Sequence, residues 1–447
     1  MFATALLLVS CGQTASVTEL DIVPEPMFMV QKEGSYTLDR QLSVAVNGLG
    51  QNSPTVKYVM KSLRHAHMRP SLVGLSEVSD IELVLNDTLN PELGDEGYLL
   101  EVRSTGVRLS ANTETGLFYA YQTLKQILPP DVVNTTYRSV VLPECTILDR
   151  PRFVWRGLHV NVSGTPMNVK TLKRVVDLMA AYKLNRLCVD GGWWSKDSLL
   201  WEVDSLSAYS PAEASELTAY AAELGVEVLW DSLPPLAYDL KEGLRMGREG
   251  RTVVVEPAGQ WNLGRYQADP RYQPQAHEGV STLGNVYRVD PVPAGTSRYI
   301  AENVMGGQCC LLTDCVEDVR QAEYMLLPRL LAVGECLWSQ PEDRDWQRFR
   351  KKIEVQKERL RAKGYSYCEG SFTPLFTATR VDDRTMNIAI ETEVPNTYIF
   401  YTTDSTTPTR QSAIYIGPVN LRRGTHIKIL PVYKDVERDS VYEFVIM

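Results

Sequence analysis

The sequence predicts an α/β protein, a reduced (β/α) barrel of the TIM type flanked by an N-terminal α+β domain and a C-terminal β-sandwich. Three observations predict it. Up to residue 148, short β-rich runs alternate with turn signals and two amphipathic helices. From 149 to 370, short apolar strands that end in polar residues alternate with amphipathic helices, the pattern of a parallel sheet with helical crossovers. From 371 to 447 only short strands at sandwich spacing appear, with no helical period.

Residues 1–16 read as an export signal and tether. The apolar run 3–9 is too short to span a bilayer and runs into Leu8-Val9-Ser10-Cys11-Gly12, which is similar to a bacterial lipobox with Cys11 as the acylated residue. The plainer alternative is a cleaved signal in which Cys11 is incidental. Either way the expected location is outside the cytoplasm, at an outer membrane or cell surface, with a lipid anchor at Cys11 as the membrane contact and an envelope protein as a candidate partner.

Residues 17–148 form the α+β domain. Strands are expected at 42–46, 81–85, 98–102 and 106–110, and helices at 53–67 and 113–128, where Gly116, Ala120 and Leu124 share a face. In the barrel region, 149–370, strands are expected at 158–162, 186–190, 227–231, 252–256 and 305–312, with helices at 169–182 and 211–224 between them. That gives five or at most six strands where a closed barrel needs eight, in roughly 220 residues against about 250 for a typical barrel. The C-terminal module, 371–447, carries strands at 386–390, 398–402, 414–416 and 427–433.

Composition excludes several functions. A net charge of −9 with no run of clustered Lys and Arg argues against nucleic acid as a partner. The seven cysteines beyond Cys11 fit no zinc spacing, and with only five His no metal or cofactor is expected. An odd number of cysteines in a large exported chain reads as buried thiols rather than a disulfide framework.

The helix Gly116 through Pro129, the segment Asp149-Arg150-Pro151-Arg152-Phe153-Val154-Trp155-Arg156-Gly157, the helix-strand units at 172–187 and 217–229, and the block Gly306 through Trp338 resemble, in order and placement, glycoside hydrolase family 20, the β-N-acetylhexosaminidases. The likeness covers nearly all of residues 20–370. It implies a barrel with its site at the C-terminal strand ends, where a Glu protonates the leaving oxygen and a neighbouring Asp orients the substrate acetamido group that acts as nucleophile. That pair should end the fourth strand. Here no Asp-Glu dipeptide occurs between Gly157 and Gly307, and segment 251–257, similar to the family's sixth unit, follows almost directly on the third strand.

Other positions depart from the family as well. An Asp and a Ser-Arg pair after the first strand read Asn161, Ser163 and Gly164; a Pro-Gly-His turn reads Pro234-Pro235-Leu236; a Tyr that closes on the acetamido carbonyl reads Trp261; and a wall Trp reads Leu312. The resemblance carries Arg156 over as the grip on the sugar hydroxyls and Asp314 as an acid on the far side of the ring. The plainer alternatives are an ion pair that pins the barrel floor for Arg156 and a helix cap for Asp314. Trp193, Trp194 and Trp261 are candidate sugar platforms, although Trp more often serves as buried structure. Asp190, Asp231 and Glu256 end strands and are the remaining candidates for a proton donor. The expectation is a hexosaminidase-like protein without hydrolase activity, kept for binding an amino sugar or glycan or a protein. The alternatives are an active hydrolase with a relocated acid and a structural subunit of an envelope complex.

Overall fold

The computed structural model describes residues 13–74, 77–164, 167–190, 209–434, 436–437 and 441–447. Cys11, Trp193 and Trp194 lie outside the described residues.

The N-terminal domain is a mixed sheet of eight strands. In spatial order they run Thr14–Ser16, Ser139–Asp149, Tyr98–Arg103, Gly106–Ala111, Ile81–Leu85, Gln41–Asn47 and Arg69–Val73, with Phe28–Asp39 also paired to Ser139–Asp149. The first strand corrects the expected tether. Thr14–Ser16 pairs in parallel with Ser139 to Val141, so the sheet begins inside residues 1–16. Two helices, Pro54–His65 and Glu114–Ile127, are started by Ser53 and Thr113, whose hydroxyls accept from the N–H groups of Val56 and Gly116. The second helix is buried almost all round, because the sheet covers one face and the barrel the other.

The barrel sheet has six parallel strands among the described residues, the upper end of the expected count. In spatial order they are Glu227–Trp230, Arg186–Asp190, Trp155–Asn161, Val304–Leu312, Val253–Val255 and Leu236–Ala237. The last strand in sequence pairs with the first, as in a closed barrel, and Val253–Val255 stands beside it. In a ring of eight that makes Val253–Val255 the seventh unit rather than the sixth, and leaves the two-residue strand Leu236–Ala237 as the sixth. The ring is interrupted between Glu227–Trp230 and Leu236–Ala237, which no pairing joins among the described residues.

One continuous apolar core runs through the N-terminal domain and the barrel. At its centre lies Asp149, fully buried, which accepts hydrogen bonds from Met27 N–H (3.1 Å), Tyr98 OH (2.6 Å) and Trp338 Nε1 (2.9 Å) and pairs with Lys183 Nζ at 2.7 Å. Every acceptor position is matched by a donor from a different element, which is how a charge survives in a dry seam.

The C-terminal module has a three-stranded and a five-stranded antiparallel sheet around its own core of Met386, Ile388, Ile390, Ile399, Ile427, Ile429 and Ile446. The seven cysteines are free, and all but the half-buried Cys315 are buried. No helix of the described residues is long and apolar enough to cross a membrane.

Candidate active site at the barrel strand ends

Alternation along a strand decides what enters the barrel, since successive side chains point to opposite faces. On Trp155–Asn161 the inward set is Trp155, Gly157, His159 and Asn161. On the neighbouring strands Cys188 and Asp190, and Gln308 and Cys310, face the same interior, with Glu256 just past Val253–Val255. These side chains form a chain of contacts across the lumen. Trp155 Nε1 donates to Gln308 Oε1 (3.1 Å), and Gln308 Nε2 donates to Glu256 Oε2 (2.6 Å). Glu256 Oε2 lies 3.2 Å from His159 Nδ1, and His159 Nε2 lies 3.1 Å from Asp190 Oδ1.

His159 is therefore a buried imidazole held between two carboxylates. Burial alone pushes it toward the neutral form, but hydrogen bonds and charge from Asp190 and Glu256 outweigh that and raise its pKa to about 9. Near neutral pH it is an imidazolium, and neither ring nitrogen offers a lone pair to a metal. Burial, then the charges of Glu256 and Asp190, raise the Cys188 thiol to about 12, so it stays protonated and is no nucleophile.

The two acids that do meet in space are thus separated by a cation and share it. In a retaining mechanism assisted by the substrate, one carboxyl must give up a proton while a neighbour holds the acetamido group. Here Glu256 Oε2 is hydrogen-bonded by both His159 and Gln308, while Asp190 Oδ1 lies at ion-pair distance from His159 Nε2 without a hydrogen bond.

The residues expected to grip sugar fall elsewhere. Arg156 lies one residue out of phase with His159 and near the opposite end of the strand, and it is wholly buried. Its five N–H groups are all used. Nε donates to Lys183 O (2.7 Å), Nη1 to Glu96 Oε2 (2.9 Å) and Phe153 O (2.7 Å), and Nη2 to Glu96 Oε1 (2.8 Å) and Tyr119 OH (3.2 Å). The hydroxyl-gripping role is corrected to a bidentate ion pair tying the barrel floor to the N-terminal domain. Trp261 is also corrected. It is fully buried, donates to Val286 O at 3.1 Å, and its ring fills the space over Gly307, where a Cβ would come within 2.6 Å of Cζ3.

Asp314 does stand at the rim, exposed, on a short 3-10 turn after the last strand, with Oδ2 3.6 Å from His277 Nε2. The helix-cap alternative fails, because Asp318 caps the following helix by accepting from Gln321 N–H. A Cβ on Gly164 would lie 2.5 Å from the Asp314 backbone, so the loop after the first strand is pressed onto the loop after the last. Asp231 follows the third strand in the left-handed region, at φ 46°. Sequence reasoning passed over His159 and Gln308, although strand alternation put both in phase with Asn161 and Leu312.

A (β/α) barrel with polar side chains gathered at its strand ends, packed on an α+β domain, places the chain in the barrel class whose sites lie at the C-terminal strand ends. Residues 19–150 match the model "Glycosyl hydrolase family 20, domain 2", and residues 153–234 and 238–341 match "Glycosyl hydrolase family 20, catalytic domain". The chain belongs to glycosyl hydrolase family 20. The catalytic-domain match breaks at 235–237, at the interruption in the strand ring. Residues 388–445 match the model "Fn3 associated".

Among curated relatives, a beta-hexosaminidase of Porphyromonas gingivalis is 22% identical over 599 aligned positions, covering 96% of this chain and 75% of the relative. That alignment is longer than this chain of 447 residues, so the relative carries segments this chain lacks. A beta-N-acetylhexosaminidase of Cellulomonas fimi is 23% identical over 57% of this chain and 77% of its own length. In structure, a mutant beta-hexosaminidase of Streptomyces plicatus in complex with GlcNAc superposes with a TM-score of 0.68 at 21% identity, over 79% of this chain and 97% of that one. The Vibrio harveyi family 20 exo-β-N-acetylglucosaminidase in complex with N-acetylglucosamine gives 0.64 at 18% identity, over 79% of each chain.

Proposed function

We propose that this chain is a non-hydrolytic member of its family that binds an amino sugar or glycan at the barrel mouth. One observation carries the reading: Asp190 and Glu256, the acids that converge at the strand ends, both lie at ion-pair distance from the same His159 imidazolium, with Glu256 also hydrogen-bonded to it. Binding without cleavage is supported by what lines the rim. Tyr238 is 54% exposed, Asp314 is exposed, and Trp230 is half-buried edge-to-face on Tyr209 at 5.2 Å. Aromatic faces beside carboxylates suit a sugar ring and its hydroxyls.

The test uses a chromogenic N-acetylglucosaminide and N-acetylglucosamine with the full chain. The proposal expects no turnover above buffer, and a sugar-dependent rise in melting temperature that Tyr238→Ala reduces. Turnover that disappears in Glu256→Gln or Asp190→Asn sinks it. A second reading, hydrolysis with Asp190 as a relocated acid, is favoured by Asp190 being the less buried of the two, with a side chain 20% exposed, and by relatives that are named as hexosaminidases.

The lipobox-like segment supports the further proposal that the chain is exported and anchored at the cell envelope through Cys11. Metabolic labelling with a fatty acid, lost in Cys11→Ser, is the expected result; labelling equal in both forms, or none in either, excludes it.

A further inference from the structure

A cavity of about 870 Å³ lies outside the barrel, between the N-terminal helices Pro54–His65 and Glu114–Ile127 and the barrel helices Val169–Ala181, Pro211–Ala222 and Trp346–Ala362. Its walls carry Lys57, Lys61, Arg64, Lys125, Arg359 and Lys363 against two carboxylates, Asp177 and Glu223. On a chain of net charge −9 this is a local reversal of sign.

None of the six cations has a carboxylate within ion-pair distance among the described residues. Asp177 accepts from Tyr220 OH at 2.7 Å. Lys125 donates to the neutral partners Tyr58 OH (2.8 Å) and Gln122 Oε1 (2.9 Å). Arg359 donates to the carbonyls of Lys125 (3.2 Å) and Leu128 (2.7 Å), while its buried Nε has no partner. Repulsion of this kind costs stability and persists where something offsets it. Burial, together with neighbouring cations, already pushes the Lys125 and Lys363 ammoniums down to about 8.

We propose that this cavity binds a small, multiply charged anion carrying phosphate, sulfate or carboxylate groups. Ammonium groups on several helices act as point charges around an anion, and the half-buried Tyr58 and Tyr365 add aromatic surface to the wall for an organic body such as a sugar ring. The volume falls within the range of about 300–1,000 Å³ typical of small-molecule sites. Neither the lysines nor the tyrosines belong to the barrel mouth, so this site and the proposed sugar site can fail independently.

Calorimetric titration of the full chain with inorganic pyrophosphate, a sulfated disaccharide and the same disaccharide without sulfate tests it. Lys57→Gln and Lys61→Gln sit on exposed side chains and leave the fold intact. Saturable binding of an anion is expected, about tenfold weaker in each variant, weakened by salt, with the uncharged disaccharide at least about tenfold weaker still. Preference for the sulfated disaccharide supports an organic anion, and binding of pyrophosphate alone supports a compact inorganic one. No saturable binding of either anion at millimolar concentration, or equal affinity in the wild type and the double variant, overturns the proposal.

Discussion

Replacing His159 with Gln tests the electrostatics of the barrel interior directly. The imidazole moves from an ordinary value of 6.5 to about 9, and 2.5 pKa units correspond to about 3 kcal/mol favouring the protonated fold. Because the folded value is raised, this contribution is complete below about pH 6.5 and is lost as pH climbs through about 9. At pH 7, His159→Gln leaves two inward carboxylates without their cation, a loss of about 3–5 kcal/mol. Urea unfolding of both proteins from pH 6 to pH 10 measures the difference curve, which should shrink by about 3 kcal/mol across that window. The difference is needed because Lys125 and Lys363, held near 8, act in the opposite sense, relieving a penalty as they lose protons. Carbon-13 labelling of the five histidines gives a second reading, with one imidazole titrating near pH 9. A flat difference curve, or no histidine midpoint above about 7.5, refutes the coupled triad.

Three further outcomes follow from the same packing. Arg156→Ala strips Glu96 of its bidentate partner and should cost about 3–5 kcal/mol in urea unfolding, part of it recovered in the double variant with Glu96→Ala, while any melting response to N-acetylglucosamine persists. Gly307→Ala drives a methyl toward the Trp261 ring and the Val255 carbonyl, 2.6 and 2.8 Å away, and should lower stability by about 1–3 kcal/mol. Glu335 is fully buried and raised to about 7, chiefly by burial, so its ionisation weakens the fold as pH rises from about 4.5 to 7; Glu335→Gln should gain about 1–3 kcal/mol at pH 8 and nothing below pH 4.5.

Much of the architecture was legible because it rests on local pattern. The polar residues that end Arg186–Asp190 and follow Val253–Val255 marked parallel strands, and the short text between Asp231 and Arg251 showed that the ring lacks units. The site was less legible. Arg156 was assigned by likeness to a family position, whereas its parity on the strand, opposite to His159, already turned it away from the lumen. Trp261 followed the same route, and nothing local shows that it fills the space over Gly307. The cationic cavity was hidden for a different reason. Lys57, Lys61, Lys125 and Lys363 are spread over some three hundred positions, and only the docking of the N-terminal domain on the barrel gathers them.

Among the described residues, the interruption in the strand ring leaves two sheet margins whose backbone N–H and C=O groups could recruit a stranger's chain. Both are very short, four residues at Glu227–Trp230 and two at Leu236–Ala237, and Pro234 stands before the second, while the Pro235 carbonyl pairs inward with Val254 N–H. A proline has no amide hydrogen to offer an incoming strand. By losing whole units at this place, the domain has ended its sheet where templated aggregation finds little purchase.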